Sequence, residues 1–385
     1  MASLPSSADV VVIGGGAVGA STAYHLTQLG CRDVLVLERE ALAAGSTGRS
    51  FGGVRAQFST ESNVRIMLYS IALFERFEEE FGIDIGFNQV GYLFLLHTQQ
   101  LVDIFHRNIQ MQRRLGFDVL ELDPEEARRR FLPQLNTEGI LGTTWCAREG
   151  YADPTSVTNG FANRAREQGA TVRVGVNVTG IRVEGDQIQA VETDQGSVAT
   201  HTVVCCAGAW SASVGRMAGV DLPIYGWRQS TFTCSPFDLL PERFPLLIDF
   251  ETHFAVRREG KRILLYRTNL DEPPGFETHY SPEWLEHLIP AAVHRVPVLE
   301  HATVEGGWGG LYDRSPDENA VIGEVSNVSR FLYATGFSGH GFMQSPGTGK
   351  AVAELVVNGR SSLDLSEFAV ERFGSGQLVP EAIII

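Results

Sequence analysis

Three glycines and a glutamate near the start of the sequence have the spacing of a dinucleotide-binding motif. Gly14, Gly16 and Gly19 follow an apolar run at residues 9–13, and Glu38 lies 24 residues after Gly14. Glycines at these positions permit a tight turn, close approach of the backbone to a pyrophosphate and close helix–strand packing. A carboxylate at this distance accepts hydrogen bonds from ribose hydroxyls. The pattern predicts a dinucleotide site; the alternative is a glycine turn that only packs a helix on a strand.

The segments around these glycines form a predicted β-α-β unit of about 30 residues. The runs before the glycines and at 33–37 are apolar enough for buried parallel strands, and residues 17–29 between them have helical periodicity. The start of that helix, at Ala17 and Val18, would direct unpaired N–H groups and the positive end of the helix dipole toward phosphates. Glu38 disfavours a cofactor with a 2′-phosphate, and both NAD and FAD remain compatible with the motif.

A loop rich in hydroxyl groups follows the second predicted strand. It carries Ser46, Thr47, Arg49 and Ser50 among glycines. Hydroxyls and a guanidinium in this place suit a second contact with phosphate, or a loop at the edge of an isoalloxazine ring. The alternative is an exposed turn without a ligand.

Length, charge and cysteine content exclude several classes of protein. The 385 residues are 43% hydrophobic, which predicts two domains or one large domain with an insertion. The net charge of −15 argues against nucleic acid as a partner, since an acidic chain repels phosphate backbones. The 5 cysteines have neither CxxC nor zinc-ligand spacing, so we predict no metal site, reduced thiols and a cytoplasmic location. No apolar run reaches the roughly 18 residues of a membrane span.

The rest of the sequence alternates between helical and strand patterns. Predicted helices cover residues 61–81, 99–115, 154–167, 281–294 and about 348–357. Predicted strands cover residues 91–96, 171–178, 180–184, 188–193, 202–206 and 331–335, and the region 222–270 is rich in strands. A glycine-rich turn joins the last of these strands to the last helix.

Several motifs spread along the chain resemble those of one flavoprotein superfamily. They lie at residues 45–58, 150–154, 176–178, 203–210, 271–276, 306–313, 315–317 and 336–343. Together with Glu38 they resemble the D-amino-acid oxidase-like FAD-dependent superfamily. Within it the sequence is most similar to the sarcosine oxidase β-subunit-like branch, which also includes flavin-dependent proline and dimethylglycine dehydrogenases. The resemblance covers nearly the whole chain and is much more specific than the first glycine motif.

The resemblance implies an α/β fold in two interleaved parts. A Rossmann-like FAD-binding domain would be assembled from residues 1–88, 145–220 and 305–385. A substrate domain of the α+β type, built on a mixed β-sheet, would comprise residues 89–144 and 221–304. A single cut in the chain would therefore not separate the two domains.

The resemblance also implies a noncovalent FAD site. Gly310 stands where monomeric relatives tether FAD through a cysteine, and Tyr69 stands where heterotetrameric β subunits tether FMN through a histidine. The turn at 336–342 would direct N–H groups at the flavin pyrimidine ring, where His340 would polarise that edge or hold the loop. The implied FAD-binding residues are Gly14, Gly16, Ala17, Val18, Gly19, Glu38, Arg39, Ser46, Thr47, Arg49, Ser50, Val54, Val178, Ala207, Gly208, Trp210, Gly310, Gly339, His340, Gly341, Phe342 and Met343.

For the substrate, the resemblance points to four residues, of which His340 is one. Arg55 falls where monomeric sarcosine oxidases anchor the substrate carboxylate, and a structural ion pair is the alternative. Tyr312 replaces the arginine of glycine oxidase-like relatives, and Tyr266 and Tyr312 would line the pocket unless they only pack the core. Met343 replaces a lysine of the monomeric enzymes. This change implies a roomier pocket for a small N-substituted or cyclic amino acid.

The implied reaction is oxidation of a secondary or N-methyl amino acid. Hydride transfer to flavin would give an imine that hydrolyses, with oxygen as acceptor and hydrogen peroxide as product. No lysine stands at the expected register of 262–267; Lys261 is offset, and Arg49 or Arg267 could supply the charge instead. The alternatives are a dehydrogenase with another acceptor, an NAD-dependent enzyme, or an FAD-binding subunit that needs other subunits for activity.

Overall fold

The computed structural model describes residues 3–383, and the elements below belong to that part of the chain. The helices are α1 Ala17–Gln28, α2 Glu61–Glu75, α3 Phe77–Phe81, α4 Gln99–Arg114, α5 Pro124–Phe131, α6 Pro154–Glu167, α7 Ser211–Met217, α8 Leu285–Arg295, α9 Gly341–Asn358 and α10 Glu371–Ser375. The strands are β1 Val10–Ile13, β2 Val34–Glu38, β3 Gly53–Val54, β4 Tyr92–Leu96, β5 Leu120–Leu122, β6 Gly142–Cys146, β7 Gly150–Tyr151, β8 Thr171–Val174, β9 Val178–Glu184, β10 Gln187–Thr193, β11 Gly196–Ala199, β12 Val203–Cys205, β13 Tyr225–Cys234, β14 Leu246–Asp249, β15 Phe254–Glu259, β16 Arg262–Arg267, β17 Val304–Arg314, β18 Val321–Glu324 and β19 Phe331–Thr335.

The first large sheet carries the predicted β-α-β unit. Its strand order is β18-β19-β12-β1-β2-β8, and only the edge strand β18 pairs antiparallel. Helix α1 packs on one face between α6 and α9, and the three-stranded sheet β11-β10-β9 covers the other face. Because both faces are covered, β1 is apolar at every position and all four of its residues are buried. This agrees with the α/β class predicted from the sequence.

The second large sheet has eight strands in the order β17-β13-β16-β15-β14-β4-β6-β5. It is mixed, since β4 and β14 run parallel while the other neighbours are antiparallel. Side chains alternate between its two faces. Leu93, Leu95 and Leu247 pack under α8, whereas Tyr92 and Leu246 belong to a cluster on the opposite face. That opposite face is turned toward the first sheet.

Most predicted elements are present, and four differ in where they begin, break or end. The predicted helix 61–81 breaks at Arg76, whose ψ of 16° departs from the helical range. The predicted strand 171–178 stops at Val174, and the helix predicted over 281–294 opens with a 3₁₀ turn before α8. The last helix begins at Gly341, one turn beyond the strand β19, and not near residue 348.

The proposed domain boundaries cut two strands of the second sheet. Residue 145 lies inside β6, and residue 305 lies inside β17, although both strands pair within the eight-stranded sheet. The domain boundaries stay a prediction, and the pairing shows that β6 and β17 belong to the eight-stranded sheet. Among the described helices, none combines the length and apolar character needed to cross a membrane.

Candidate active site

A cavity of about 580 Å³ lies between the two large sheets. It extends from the start of α1 to the face of the second sheet that carries Tyr92 and Tyr266. Of the residues predicted to bind cofactor or substrate, all but Gly19 and Val54 line it. Gly19 serves helix packing, because a Cβ there would lie 2.0 Å from the carbonyl oxygen of Gly14. Val54 is fully buried in β3.

The start of α1 is shaped for close approach of a ligand. Gly14 has φ +114°, and a Cβ at this residue would lie 2.3 Å from the carbonyl oxygen of Cys206. Gly16 caps the helix without a side chain, and the amide of Ala17 donates to Oγ1 of Thr47 at 3.1 Å. Since these groups line the cavity, this end offers amide N–H groups, a hydroxyl and a positive helix dipole to a pyrophosphate.

Glu38 lies beside this helix start. Its Oε2 accepts from the amide of Gly15 at 2.7 Å, and Oε1 accepts from the amide of Glu40 at 2.8 Å. Two backbone bonds fix the carboxylate at the cavity, where its remaining lone pairs can accept from ribose hydroxyls. The pyrophosphate contact at the start of α1 and the ribose contact at Glu38 both fit the nucleotide half of FAD.

A stack of one cation and two aromatic rings lines the same end of the cavity. The guanidinium carbon of Arg39 lies 3.9 Å from the ring centroid of Trp210. The Trp210 ring is stacked on Phe276 with centroids 5.6 Å apart. Phe276 is half exposed and was not among the predicted site residues; the only signal for it was its position in the motif at 271–276. Flat, partly apolar surfaces of this kind suit a planar ring.

The start of α9 forms the opposite side of the cavity. Gly339 has φ +98°, and a Cβ there would lie 2.7 Å from the ring of Tyr312. The buried carboxylate of Asp313 accepts from the amide of Gly336 at 2.8 Å and fixes the turn. Burial raises the pKa of Asp313 to about 6. The positive end of the α9 dipole, at His340 and Gly341, therefore faces the space where a reduced flavin would accumulate negative charge.

Arg55 is a buried cation at this side of the cavity. It is 2% exposed, and its guanidinium donates to the backbone carbonyls of Gln57 and Ile383 and to Nε2 of His340 at 2.9 Å. The guanidinium also lies over the ring of Phe58, 4.2 Å from its centroid. Among the described residues it forms no salt bridge, although the carboxylates of Glu381 and Glu149 are close enough to influence its charge. A guanidinium held in this way is suited to a ligand carboxylate.

The contact with Arg55 defines the state of His340. Because a guanidinium only donates, Nε2 of His340 must accept, so the ring is neutral with its proton on Nδ1. Burial and the nearby Arg55 charge hold the pKa of His340 well below its usual value. His340 is therefore a neutral partner of Arg55 that also lines the cavity, and its predicted contact with the flavin edge stays a prediction.

Glu149, which the sequence did not single out, builds the loop that carries Arg55. It is fully buried and accepts from the amides of Ala56 at 2.6 Å and Gln57 at 3.0 Å, and from Nε2 of Gln57 at 2.6 Å. Burial raises the pKa of Glu149 to about 7. No local motif reveals this role, since Glu149 meets the loop only through the pairing of β3 with β7.

Two tyrosines and an amide form one wall of the cavity. The hydroxyls of Tyr266 and Tyr312 lie 3.2 Å apart, and the Tyr266 hydroxyl lies 3.3 Å from Oε1 of Gln229. All three line the cavity, together with Tyr92, which sequence analysis missed. Burial raises the pKa of both Tyr266 and Tyr312, so both hydroxyls are protonated at neutral pH. Tyr266 and Tyr312 thus line the cavity and also pack in a core cluster, and their contact with a substrate stays a prediction.

Of the three cationic residues considered for promoting the reaction with molecular oxygen, one lines the cavity and two do not. Arg49 lines the cavity and donates to the carbonyls of Thr278 and Gly309, each at 3.1 Å. Arg267 and Lys261 do not line it; Arg267 donates to carbonyls of residues 252 and 287 instead. Tyr69 also lies away from the cavity, with its hydroxyl 3.0 Å from Nε2 of His25.

Comparisons with known proteins define the class of this chain. Residues 9–355 match the family of FAD dependent oxidoreductases, and the chain belongs to that family. The predicted superfamily, fold class and cofactor are therefore confirmed, and the chain is an FAD-dependent oxidoreductase rather than an NAD-dependent enzyme.

Particular relatives share almost all of the chain. The mitochondrial sarcosine dehydrogenase of Mus musculus is 31% identical over 96% of this chain and 42% of its own length. The mitochondrial dimethylglycine dehydrogenase of Rattus norvegicus is 33% identical over 95% of this chain and 45% of its own length. The chain thus spans less than half the length of these curated relatives. The crystal structure of L-proline dehydrogenase from P. horikoshii has a TM-score of 0.92 and 32% identity, covering 98% of this chain and 100% of that one.

Proposed function

We propose that this chain oxidises a small N-substituted or cyclic amino acid at the carbon next to nitrogen. The observation that carries the proposal is Arg55, a buried guanidinium without a salt bridge among the described residues, at the cavity that the FAD motifs line. The names of the relatives support the substrate class, since they include sarcosine, dimethylglycine and L-proline dehydrogenases.

The side chains at the cavity supply orientation and exclusion of water. Bound FAD would supply a two-electron acceptor for the carbon–hydrogen bond next to nitrogen. Arg55 would bind the carboxylate, and the carbonyl of Gln57 and the ring of His340 would keep the guanidinium in place. Tyr266, Tyr312 and Gln229 would enclose the amine, which reacts in its neutral form, and water would hydrolyse the resulting imine.

Replacement of Arg55 tests the carboxylate contact. We expect Arg55→Met to raise KM for sarcosine and L-proline about tenfold to a hundredfold, since a hydrogen bond to a charged group contributes roughly 1.5–3 kcal/mol. Pyrrolidine, which lacks the carboxylate, should lose little by comparison. Arg65→Met is the matched control, because Arg65 forms an exposed ion pair with Glu61 on α2. An unchanged KM for both amino acids would show that Arg55 is not the anchor.

Oxygen as the acceptor, with peroxide as product, is the finer part of the proposal. Arg49 is the cationic side chain that supports it, because it lines the cavity, whereas Lys261 is exposed and does not line it. A second candidate, a dehydrogenase with another acceptor, is favoured by the lack of any lysine among the described residues that line the cavity. Substrate-reduced protein mixed with aerated buffer, and separately with a dye acceptor, distinguishes the two by peroxide yield and reoxidation rate.

The isolated chain is proposed to be active, with association with other subunits as the alternative. Turnover that appears only after a second subunit is added would favour the alternative. We also propose a cytoplasmic location, which is supported by the five cysteines, all free of disulfides.

A further inference from the structure

Residues 378–383, here called the tail segment, extend from Asp317 to Arg55 at the substrate side of the cavity. Two backbone amides of this segment donate to Asp317, from Val379 to the carboxylate at 3.2 Å and from Glu381 to the backbone carbonyl at 3.3 Å. The Glu381 carboxylate accepts from the amide of Ser59 at 3.0 Å and from Nδ2 of Asn63 at 3.1 Å. The segment is thus held at two points outside the cavity.

Ile383 extends from these anchors into the substrate wall. Its side chain is fully buried, in one cluster with Tyr92, Tyr266 and Tyr312. Its backbone carbonyl accepts from Nη2 of Arg55 at 2.5 Å. A main-chain oxygen of the chain itself therefore meets the guanidinium proposed to bind the substrate carboxylate.

The hydrogen-bond geometry of Arg55 makes this contact exclusive. Each Nη group has two hydrogens; Nη2 directs them to His340 and to Ile383, and Nη1 directs one to Gln57. A carboxylate that binds through two hydrogen bonds uses one hydrogen of Nη2 together with one of Nη1 or of Nε. Both Nη2 hydrogens are taken, so either pair becomes available when the Ile383 carbonyl leaves Nη2.

We propose that the tail segment is an intramolecular competitor of the substrate, which must displace Ile383 to bind Arg55. The inference rests on the proposed function, since it takes the ligand to be a small carboxylate. Three of the six residues of the segment, Leu378, Pro380 and Ala382, are exposed, so its fully buried contacts are confined to Glu381 and Ile383. Apparent affinity is then reduced by the fraction of molecules in which Arg55 is covered.

Binding of cyclopentanecarboxylate to the FAD-loaded chain tests the proposal without turnover. Isothermal titration calorimetry would compare the full chain with a chain that ends at Gln377, with Ile383→Ala and with Leu378→Ala. We expect truncation to lower Kd about tenfold. This corresponds to full-length chains of which about one tenth have Arg55 uncovered in the absence of ligand. Ile383→Ala should give a smaller decrease, and the exposed control Leu378→Ala should leave Kd unchanged. Hydrogen exchange in residues 378–383 should become faster when the ligand saturates the full chain.

Each outcome is decisive for one of the two proposals. Equal Kd values in the full and truncated chains, with tail exchange unaltered, would overturn the competitor and leave the carboxylate site intact. If truncation impairs folding, Ile383→Ala and the exchange measurement decide in the same way. Absence of binding in every variant would overturn both the carboxylate site and the competitor. Cyclopentanol, which has no carboxylate, should bind all variants with the same low affinity.

Discussion

At the scale of single residues, the arrangement around Arg55 shows what the sequence can and cannot reveal. Arg55 and His340 were both predicted site residues, but their direct bond joins positions 285 apart in the chain. That bond gives His340 the role of a neutral partner of the guanidinium, and its predicted contact with the flavin edge stays a prediction. Glu149 and Ile383 complete the setting, and neither belongs to a motif whose spacing could have identified it.

His25 is the residue from which we predict a pH effect on stability. Its Nδ1 donates to the carbonyl of Ser21 at 2.8 Å, and Nε2 of the neutral ring accepts from the hydroxyl of Tyr69 at 3.0 Å. Burial lowers the pKa of His25 to about 4. The unfolded chain takes up a proton near pH 6.5 and the folded chain does not, so His25 lowers the free energy of unfolding as pH falls from 6.5 toward 4.

The expected loss in the free energy of unfolding that His25 causes at pH 5 is about 2 kcal/mol. Urea unfolding at pH 7 and pH 5 would measure it in the native chain and in His25→Gln, which has no titrating ring. The loss of stability between these pH values should be about 2 kcal/mol smaller in the variant. His301→Gln, at an exposed position, is the control. An identical pH dependence in His25→Gln and the native chain would contradict the assignment.

At the scale of elements, local signals predicted some boundaries and failed at others for identifiable reasons. Helix α6 begins at Pro154 as predicted, since Asp153 caps it by accepting from the amide of Ser156 at 2.6 Å. Helix α9 begins earlier than predicted, although Pro346 lies inside it. The hydroxyl of Ser345 donates to the carbonyl of Phe342 at 2.8 Å, replacing the hydrogen bond that proline cannot make. Helix propensities of single residues do not predict that a serine side chain supplies the hydrogen bond lost at the following proline.

The role of Ser345 in α9 leads to a prediction about stability. Ser345→Ala would leave the Phe342 carbonyl without its donor in a buried helix turn, at a cost of about 1–3 kcal/mol in the free energy of unfolding. Chemical denaturation measures this loss. The double variant Ser345→Ala/Pro346→Ala should recover part of it, because alanine at 346 restores a backbone N–H. If the double variant is no more stable than Ser345→Ala, the hydroxyl does not compensate for the proline.

At the scale of the whole molecule, the order of strands in the sheets lies beyond local sequence patterns. Strand β4 pairs with β14 and β6, so strands from residues 92–96 and 246–249 meet with about 150 residues between them. No periodicity in either segment specifies that partner. The interleaved arrangement was expected only from the resemblance to a family, whereas the glycine turns at the cavity followed from residue type and spacing.

The cavity lined from both sheets leads to a prediction about cofactor-linked stability. FAD that contacts the β-α-β unit and the second sheet stabilises both at once, because binding to the folded chain alone raises its free energy of unfolding. At a free concentration of 100 times Kd the gain is about 2.7 kcal/mol. Flavin-free chain titrated with FAD should therefore unfold in one transition whose midpoint rises with concentration, while NAD at the same concentrations leaves it unchanged. Gly14→Ala, whose methyl group would collide with the backbone of Cys206, should abolish the FAD response more completely than Glu38→Gln, which removes one carboxylate oxygen and so weakens the ribose contact and one of two backbone hydrogen bonds. Two separate transitions, of which FAD moves only one, would show that the sheets do not share the cofactor.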